Sequence, residues 1–250
     1  MGIHTTDVIV LRRYLYRETS VIVSCLSERY GKFRGLVKGL RMYPNRHRSA
    51  MEPLTINRLV FYDTRDSQIH LISQCELIAP LSTLQQDLDT VWTASACVEL
   101  LEAIVPLEEP QPALYHLLKE TLERLALGAA PALLHMSCIA RALRLAGFQP
   151  QLDHCTACHA FVEQTAWWSA KQGGLLCGSC RHEDPSAEAA DAGMLTALAA
   201  LSESKALPPL EPSMVSLLRR RLTEFLHWRL DRPLKTMNYF AESHVMEPIA

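Results

Sequence analysis

Apolar and polar positions alternate with a period of two through the first eighty residues; from Leu81 the period lengthens to nearer four. Residues 7–11, 20–26, 32–38, 54–62 and 68–78 are rich in Val, Ile, Leu, Phe and Tyr and read as strands. Turn chemistry separates them at Arg17-Glu18, at Arg29-Tyr30-Gly31, over the long link 39–53, and over 63–67. Five short strands with a long connection between the third and fourth suit a small barrel of the OB type; another small β-barrel or sandwich is the alternative.

Further along, Leu84, Leu88, Val91, Trp92, Ser95, Val98 and Leu101 share one helical face that ends before Pro106. Pro110 and Pro112 open a second helix over 113–127, and a third over 132–146 stops at Gly147. Helical spacing resumes over about 191–202 and about 213–230, whereas 153–182 interrupts it and 237–250 carries no period. Short connections make these helices an antiparallel bundle whose apolar stripes are core. The expected fold is therefore α+β, a barrel over residues 1–80 followed by a helical domain over 81–250.

Composition adds exclusions. Apolar residues make up 48% and charged residues 21%, ordinary for a globular protein. The longest apolar stretch, 125–134, contains Gly128 and Pro131 and falls short of the ~20 residues of a membrane span. Residues 8–11 are too few for the apolar region of a secretory signal, so a soluble, cytoplasmic protein is expected. The net charge of −2 hides an uneven distribution: residues 1–80 hold 12 Lys/Arg against 7 Asp/Glu, while 81–212 are acidic.

Four of the eight cysteines have a pattern. Cys155-x2-Cys158 and Cys177-x2-Cys180, 18 residues apart, match the spacing of a structural zinc site. Each Cys-x2-Cys loop turns two thiolates toward one point, and two such knuckles close a tetrahedron around Zn²⁺. Gly173-Gly174 supplies a hairpin turn, and Trp167-Trp168 gives the module apolar bulk. Rivals account for less. A disulfide framework expects a secreted protein, and a thioredoxin-like pair expects one Cys-x-x-Cys in a βαβ pattern. Cys155-Thr156-Ala157-Cys158-His159 also matches a c-type haem attachment motif, which would leave the second pair unexplained. Four ligands leave no open position, so the expected Cys₄ zinc ribbon at about 153–182 is structural. Cys25, Cys75, Cys97 and Cys138 fall within strand or helix periods and read as buried small apolar residues.

Seven Lys/Arg and no acidic residue lie between Arg29 and Ala50, interleaved with Tyr30, Phe33, Tyr43 and His47. Lys32, Arg34 and Lys38 share strand parity and should face outward while Phe33 and Val37 face inward; Arg41, Arg46 and Arg48 extend the surface into the following loop. Cations along a backbone track, with rings for stacking, are what single-stranded nucleic acid needs; a merely solvated strand face is the plainer alternative. A second cluster, Arg219-Arg220-Arg221, lies on the last helix, where solubilisation and dipole complementarity explain it equally well. No phosphate loop, dinucleotide fingerprint, nucleophile elbow or zinc-protease motif occurs, and no His-x-Glu accompanies the cysteines, so no enzyme is expected.

The order of these parts resembles the bacterial RecO recombination mediators. The resemblance rests on the opening strand followed by Arg12-Arg13, on Tyr30-Gly31 leading into Leu36-Val37-Lys38-Gly39-Leu40-Arg41, and on Glu52-Pro53-Leu54. It continues with Leu145-Ala146-Gly147-Phe148-Gln149-Pro150 before the first knuckle, Gly173-Gly174 before the second, and Arg232-Pro233-Leu234-Lys235 near the end. Met42-Tyr43 and the C-terminal tail depart from the family. The resemblance implies an N-terminal OB domain and a helical domain with a zinc module. It also implies a non-enzymatic mediator that binds single- and double-stranded DNA and anneals strands coated by single-stranded DNA-binding protein (SSB). With RecR it would help load RecA, in the cytoplasm at the nucleoid. The Arg219–Arg221 region is then the candidate for receiving the acidic SSB tail. A zinc-ribbon protein–protein adaptor without direct DNA binding is the alternative.

Overall fold

The computed structural model describes residues 2–40, 51–63, 68–79, 81, 84, 87–162, 166–203, 206–230 and 233–236. The chain divides into two compact units, Met1–Pro131 and Ala132–Ala250.

In the first unit, five strands close into a barrel: β1 (Ile3–Tyr16), β2 (Ser20–Ser27), β3 (Gly31–Val37), β4 (Ile56–Tyr62) and β5 (Ile69–Ala79), ordered β1-β2-β3-β5-β4. Closure comes from the antiparallel β1–β4 pair, and β3 runs parallel to β5 with Arg34 opposite Ile69. This order is that of an OB-type barrel. Alternation is clean along β3, where Phe33 and Val37 are buried in the barrel core with Val10, Val23, Leu59 and Phe61. It fails in β1, where Val8 and Val10 enter the barrel core, Ile9 between them is also buried, and the β1–β2 register shifts between Val10 and Arg12. Such a bulge re-aims the strand, so Leu11 joins the core and the 14-residue β1 runs on into an exposed hairpin.

Helices α1 (Leu88–Ile104) and α2 (Pro112–Ala126) belong to the same unit. The Asp87 side chain accepts from the Thr90 N–H at 2.9 Å and caps α1, and Pro112 starts α2 where a missing N–H costs nothing. Two buried carboxylates of α1 meet the outer side of the barrel. Glu102 accepts from the Ser24 hydroxyl at 2.8 Å, and Glu99 pairs with Arg12 at 3.3 Å. The helices thus cover part of the β1–β2 surface.

The second unit contains α3 (Pro131–Leu145), α4 (Ala192–Glu203) and α5 (Pro212–Arg229), with a three-stranded sheet of β6 (Ala166–Ser169), β7 (Gly174–Cys177) and β8 (Glu188–Ala189) ordered β7-β6-β8. Helix α3 ends in a Schellman pattern: the N–H groups of Gly147 and Phe148 bond the oxygens of Arg144 and Leu143, with Gly147 at φ 76°. Among the described residues no helix is long and apolar enough to cross a membrane.

Candidate metal centre and nucleic-acid surface

The cysteine module is a hairpin with two sulfur-bearing knuckles. Cys155 and Cys158 precede β6, Cys177 ends β7, and Cys180 sits in a 3₁₀ helix over Gly178–Glu183. The first knuckle is shaped by backbone bonds, with the Cys155 N–H to the Ala160 oxygen and the His159 N–H to the Cys155 oxygen. Thr156 N–H bonds the Leu175 oxygen and so fastens this knuckle to β7. Gly174 is needed where β7 begins, because a Cβ there would stand 2.3 Å from the Gln151 oxygen.

The four sulfurs all lie within 4.8 Å of one another, and Cys158 Sγ is 3.8 Å from Cys177 Sγ. A tetrahedron with Zn–S of ~2.3 Å has an edge of about 3.8 Å, so that pair already has the metal-bound spacing. All four cysteines are free thiols. Burial opposes ionisation of Cys155, but hydrogen bonds from the backbone N–H groups of Cys158, Cys177 and Ala157 outweigh it and hold the thiol at about 6. Hydrogen bonds with the Cys177 and Cys158 sulfurs push Cys180 up to about 12. Four thiols sharing protons in this way form a donor set ready to exchange them for a divalent soft metal. His154 and His182 are engaged elsewhere, His154 with Asp153 and Phe161 and His182 with the Ser179 oxygen.

Around the sulfurs, Arg181 lies 3.5 Å from the Trp167 ring centroid, and Trp168 is buried against Phe225 of α5. Ser169 donates to Asp184 in a short hydrogen bond, and the Asp184 carboxyl is held below its usual range by Ser169 and Ser186. Glu188 of β8 accepts from Arg221 at 2.7 Å and Arg220 at 3.0 Å. Two arginines of the Arg219–Arg221 cluster therefore hold the sheet to α5.

The predicted cations of the barrel divide. Arg34, on the outward parity of β3, and Lys38, one residue past its end, are exposed. Val37 pairs with Val21, so Lys38 lies beside the β1–β2 turn. Lys32 shares that parity but is half-buried, and its ammonium donates to the Glu102 oxygen of α1 at 2.7 Å. Arg41, Arg46 and Arg48 lie outside the described residues. The β1–β2 hairpin, outside the predicted strands, exposes Tyr14, Leu15 and Tyr16, and the Arg17 guanidinium stacks on Tyr16. The run Arg12-Arg13-Tyr14-Leu15-Tyr16-Arg17, cations flanking rings, was the available signal.

The comparisons with known proteins bear on both units. The family model "Recombination protein O N terminal" matches residues 1–81, and "Recombination protein O C terminal" matches residues 85–238. The chain belongs to the RecO family. The DNA repair protein RecO of Myxococcus xanthus is 30% identical over 237 residues, covering 94% of this chain and 96% of its own. That of Desulforamulus reducens is 29% identical over 248 residues, covering 96% and 94%. That of an Anaeromyxobacter species (strain K) is 30% identical over 240 residues, covering 94% of each. RecO membership places the chain among proteins of DNA repair and recombination, with an OB-like N-terminal barrel and a cysteine cluster able to hold a metal ion.

Proposed function

We propose that this RecO-family chain is a non-enzymatic mediator that binds single- and double-stranded DNA through the barrel over residues 1–80, while the region over 81–250 carries a structural zinc held by Cys155, Cys158, Cys177 and Cys180. It anneals complementary strands coated by SSB and, with RecR, promotes RecA loading in the nucleoid-containing cytoplasm.

The observation that carries this reading is the placement of exposed Arg34 on β3 of the closed barrel and exposed Lys38 just past its end, next to a hairpin with exposed Tyr14 and Tyr16. Arg41, Arg46 and Arg48 continue the same basic stretch in the sequence. These cations neutralise phosphates without reading base edges, so binding is salt-sensitive and largely sequence-tolerant. Lys32 contributes through the barrel's stability, because its ammonium is bound to Glu102.

The test is fluorescence anisotropy with a labelled single strand at several salt concentrations. Five neutralised phosphates give log K against log salt a slope near −3 to −4. Charge reversal at Arg34 and Lys38 should flatten that slope by about 1.4. Absence of binding at low salt would leave the barrel a scaffold and the zinc ribbon the working surface of an adaptor.

A further inference from the structure

At one mouth of the barrel, the start of β1, the β2–β3 turn, the end of β4 and the start of β5 meet the α1–α2 connection around a cavity of about 340 Å³. Sites for small ligands begin at about this size. Neither Arg34 nor Lys38 of the proposed phosphate track lines it.

Rings make up its walls. Phe61 stacks on Phe33 with centroids 4.9 Å apart, and Tyr30 stands edge-on to Phe61 at 5.2 Å. His4 and His70 flank Phe61 at 5.3 and 5.4 Å, and the Tyr30 hydroxyl lies 3.1 Å from His4 Nδ1. Two carboxylates converge on the same space from opposite sides of His70. Asp63 Oδ1 is 3.7 Å from Nδ1, and Glu108 Oε1 is 3.4 Å from Nε2. Both acidic side chains stay about half exposed, at 44% and 47%. Among the described lining residues Arg29 is the one Lys or Arg, its guanidinium 5.5 Å from the Tyr30 ring centroid.

Flat walls select a flat ligand, and two carboxylates select an edge rich in N–H donors. Guanine alone among the DNA bases presents two neighbouring donors, N1–H and the N2 amino group, on its Watson–Crick edge. Thymine presents a single donor there, N3–H, flanked by two oxygens that would meet the carboxylates with repulsion. Arg29 at the rim suits the phosphate of an inserted nucleotide and disfavours an organic cation. We propose that this mouth seats one unstacked guanine of a bound single strand, with Asp63 and Glu108 accepting from N1–H and N2–H and Tyr30 and His4 stacking on the base. The proposal rests on single-strand binding by the barrel, and it adds a local preference to an otherwise sequence-tolerant contact.

The test compares a 20-nucleotide thymidine strand with the same strand carrying one central guanine or one central hypoxanthine, which lacks the N2 amino group. Guanine should tighten binding by about tenfold over thymine, and hypoxanthine should lose most of that gain. Asp63→Ala with Glu108→Ala, truncating two half-exposed side chains, should abolish the preference and leave binding of the all-thymidine strand intact. Equal affinity for the three strands, or a preference that survives in the double variant, would overturn the proposal while leaving DNA binding in place.

A strand-independent arm follows the His4 and His70 ring resonances by NMR during titration with GMP, IMP and spermidine. Shifts with GMP that weaken with IMP support the guanine seat even if no strand binds. GMP occupying the seat as tightly as the guanine strand would assign the same base chemistry to a free nucleotide. Shifts with spermidine and none with GMP would make the cavity a cation cage and refute the proposal.

Discussion

The Lys32 ammonium donates to the main-chain oxygen of Glu102, 2.7 Å away in the last turn of α1. Carbonyls at a helix C-terminus lack intrahelical partners and carry partial negative charge, so a cation placed there satisfies one of them and offsets the dipole. A hydrogen bond involving a charged group contributes about 1.5–3 kcal/mol. Lys32→Met should therefore lower the unfolding free energy by about 2 kcal/mol in urea titrations and leave the salt slope of DNA binding unchanged. A variant as stable as the parent but weakened in DNA binding would return Lys32 to the phosphate surface.

The same strand shows what the sequence could and could not convey. Period-two alternation placed Phe33 and Val37 inside and Arg34 outside, because β3 has one face on the core. Parity says nothing about what covers the outer face, and α1 comes from seventy residues away in the chain to meet Lys32. In β1 four consecutive buried residues, Val8 to Leu11, break the alternation and hid the strand's true length. The sulfur cluster was legible because its ligands are local pairs with diagnostic spacing. The ring-lined mouth was not, as it gathers His4, Tyr30, Phe61, His70 and Glu108 from five separate segments.

Two glycines with positive φ should respond differently to a methyl group. Gly31, at φ 67°, would place a Cβ 2.0 Å from the Glu109 oxygen, so Gly31→Ala must displace the α1–α2 connection. Gly128, at φ 83°, has nothing within 4 Å of its Cβ position. Gly128→Ala then bears only the backbone strain of about 1 kcal/mol, while Gly31→Ala should cost about 3 kcal/mol or more. Thermal unfolding of the two variants checks the order, and equal losses would contradict the close approach at Gly31.

Metal removal should loosen the cysteine module selectively. Purified protein should hold one zinc per chain through Cys155, Cys158, Cys177 and Cys180, and Cys158→Ser should lower that content. Chelation should free Arg181 from Trp167, shift tryptophan emission and open the β6–β7 hairpin to protease. Trp168, packed on Phe225, should remain buried. A metal-free protein with unchanged emission and protease resistance would remove zinc from the account.

The buried imidazole of His135 on α3 should make the second unit acid-sensitive. Burial, and secondarily the positive charge of Arg219, pull its pKa down to about 4. The unfolded chain protonates the same ring near 6.5, so between those values the unfolded state binds the extra proton and the folded state does not. The stabilisation is therefore complete above about pH 6.5 and is lost progressively as the pH falls toward 4, by on the order of 3 kcal/mol. Urea unfolding of the parent and of His135→Leu at pH 7 and pH 4.5 isolates this contribution. The parent should lose more stability than the variant across that interval, whatever constant offset the substitution brings. Parallel losses in the two proteins would assign the acid sensitivity to other groups and show that the His135 site accepts a proton without penalty.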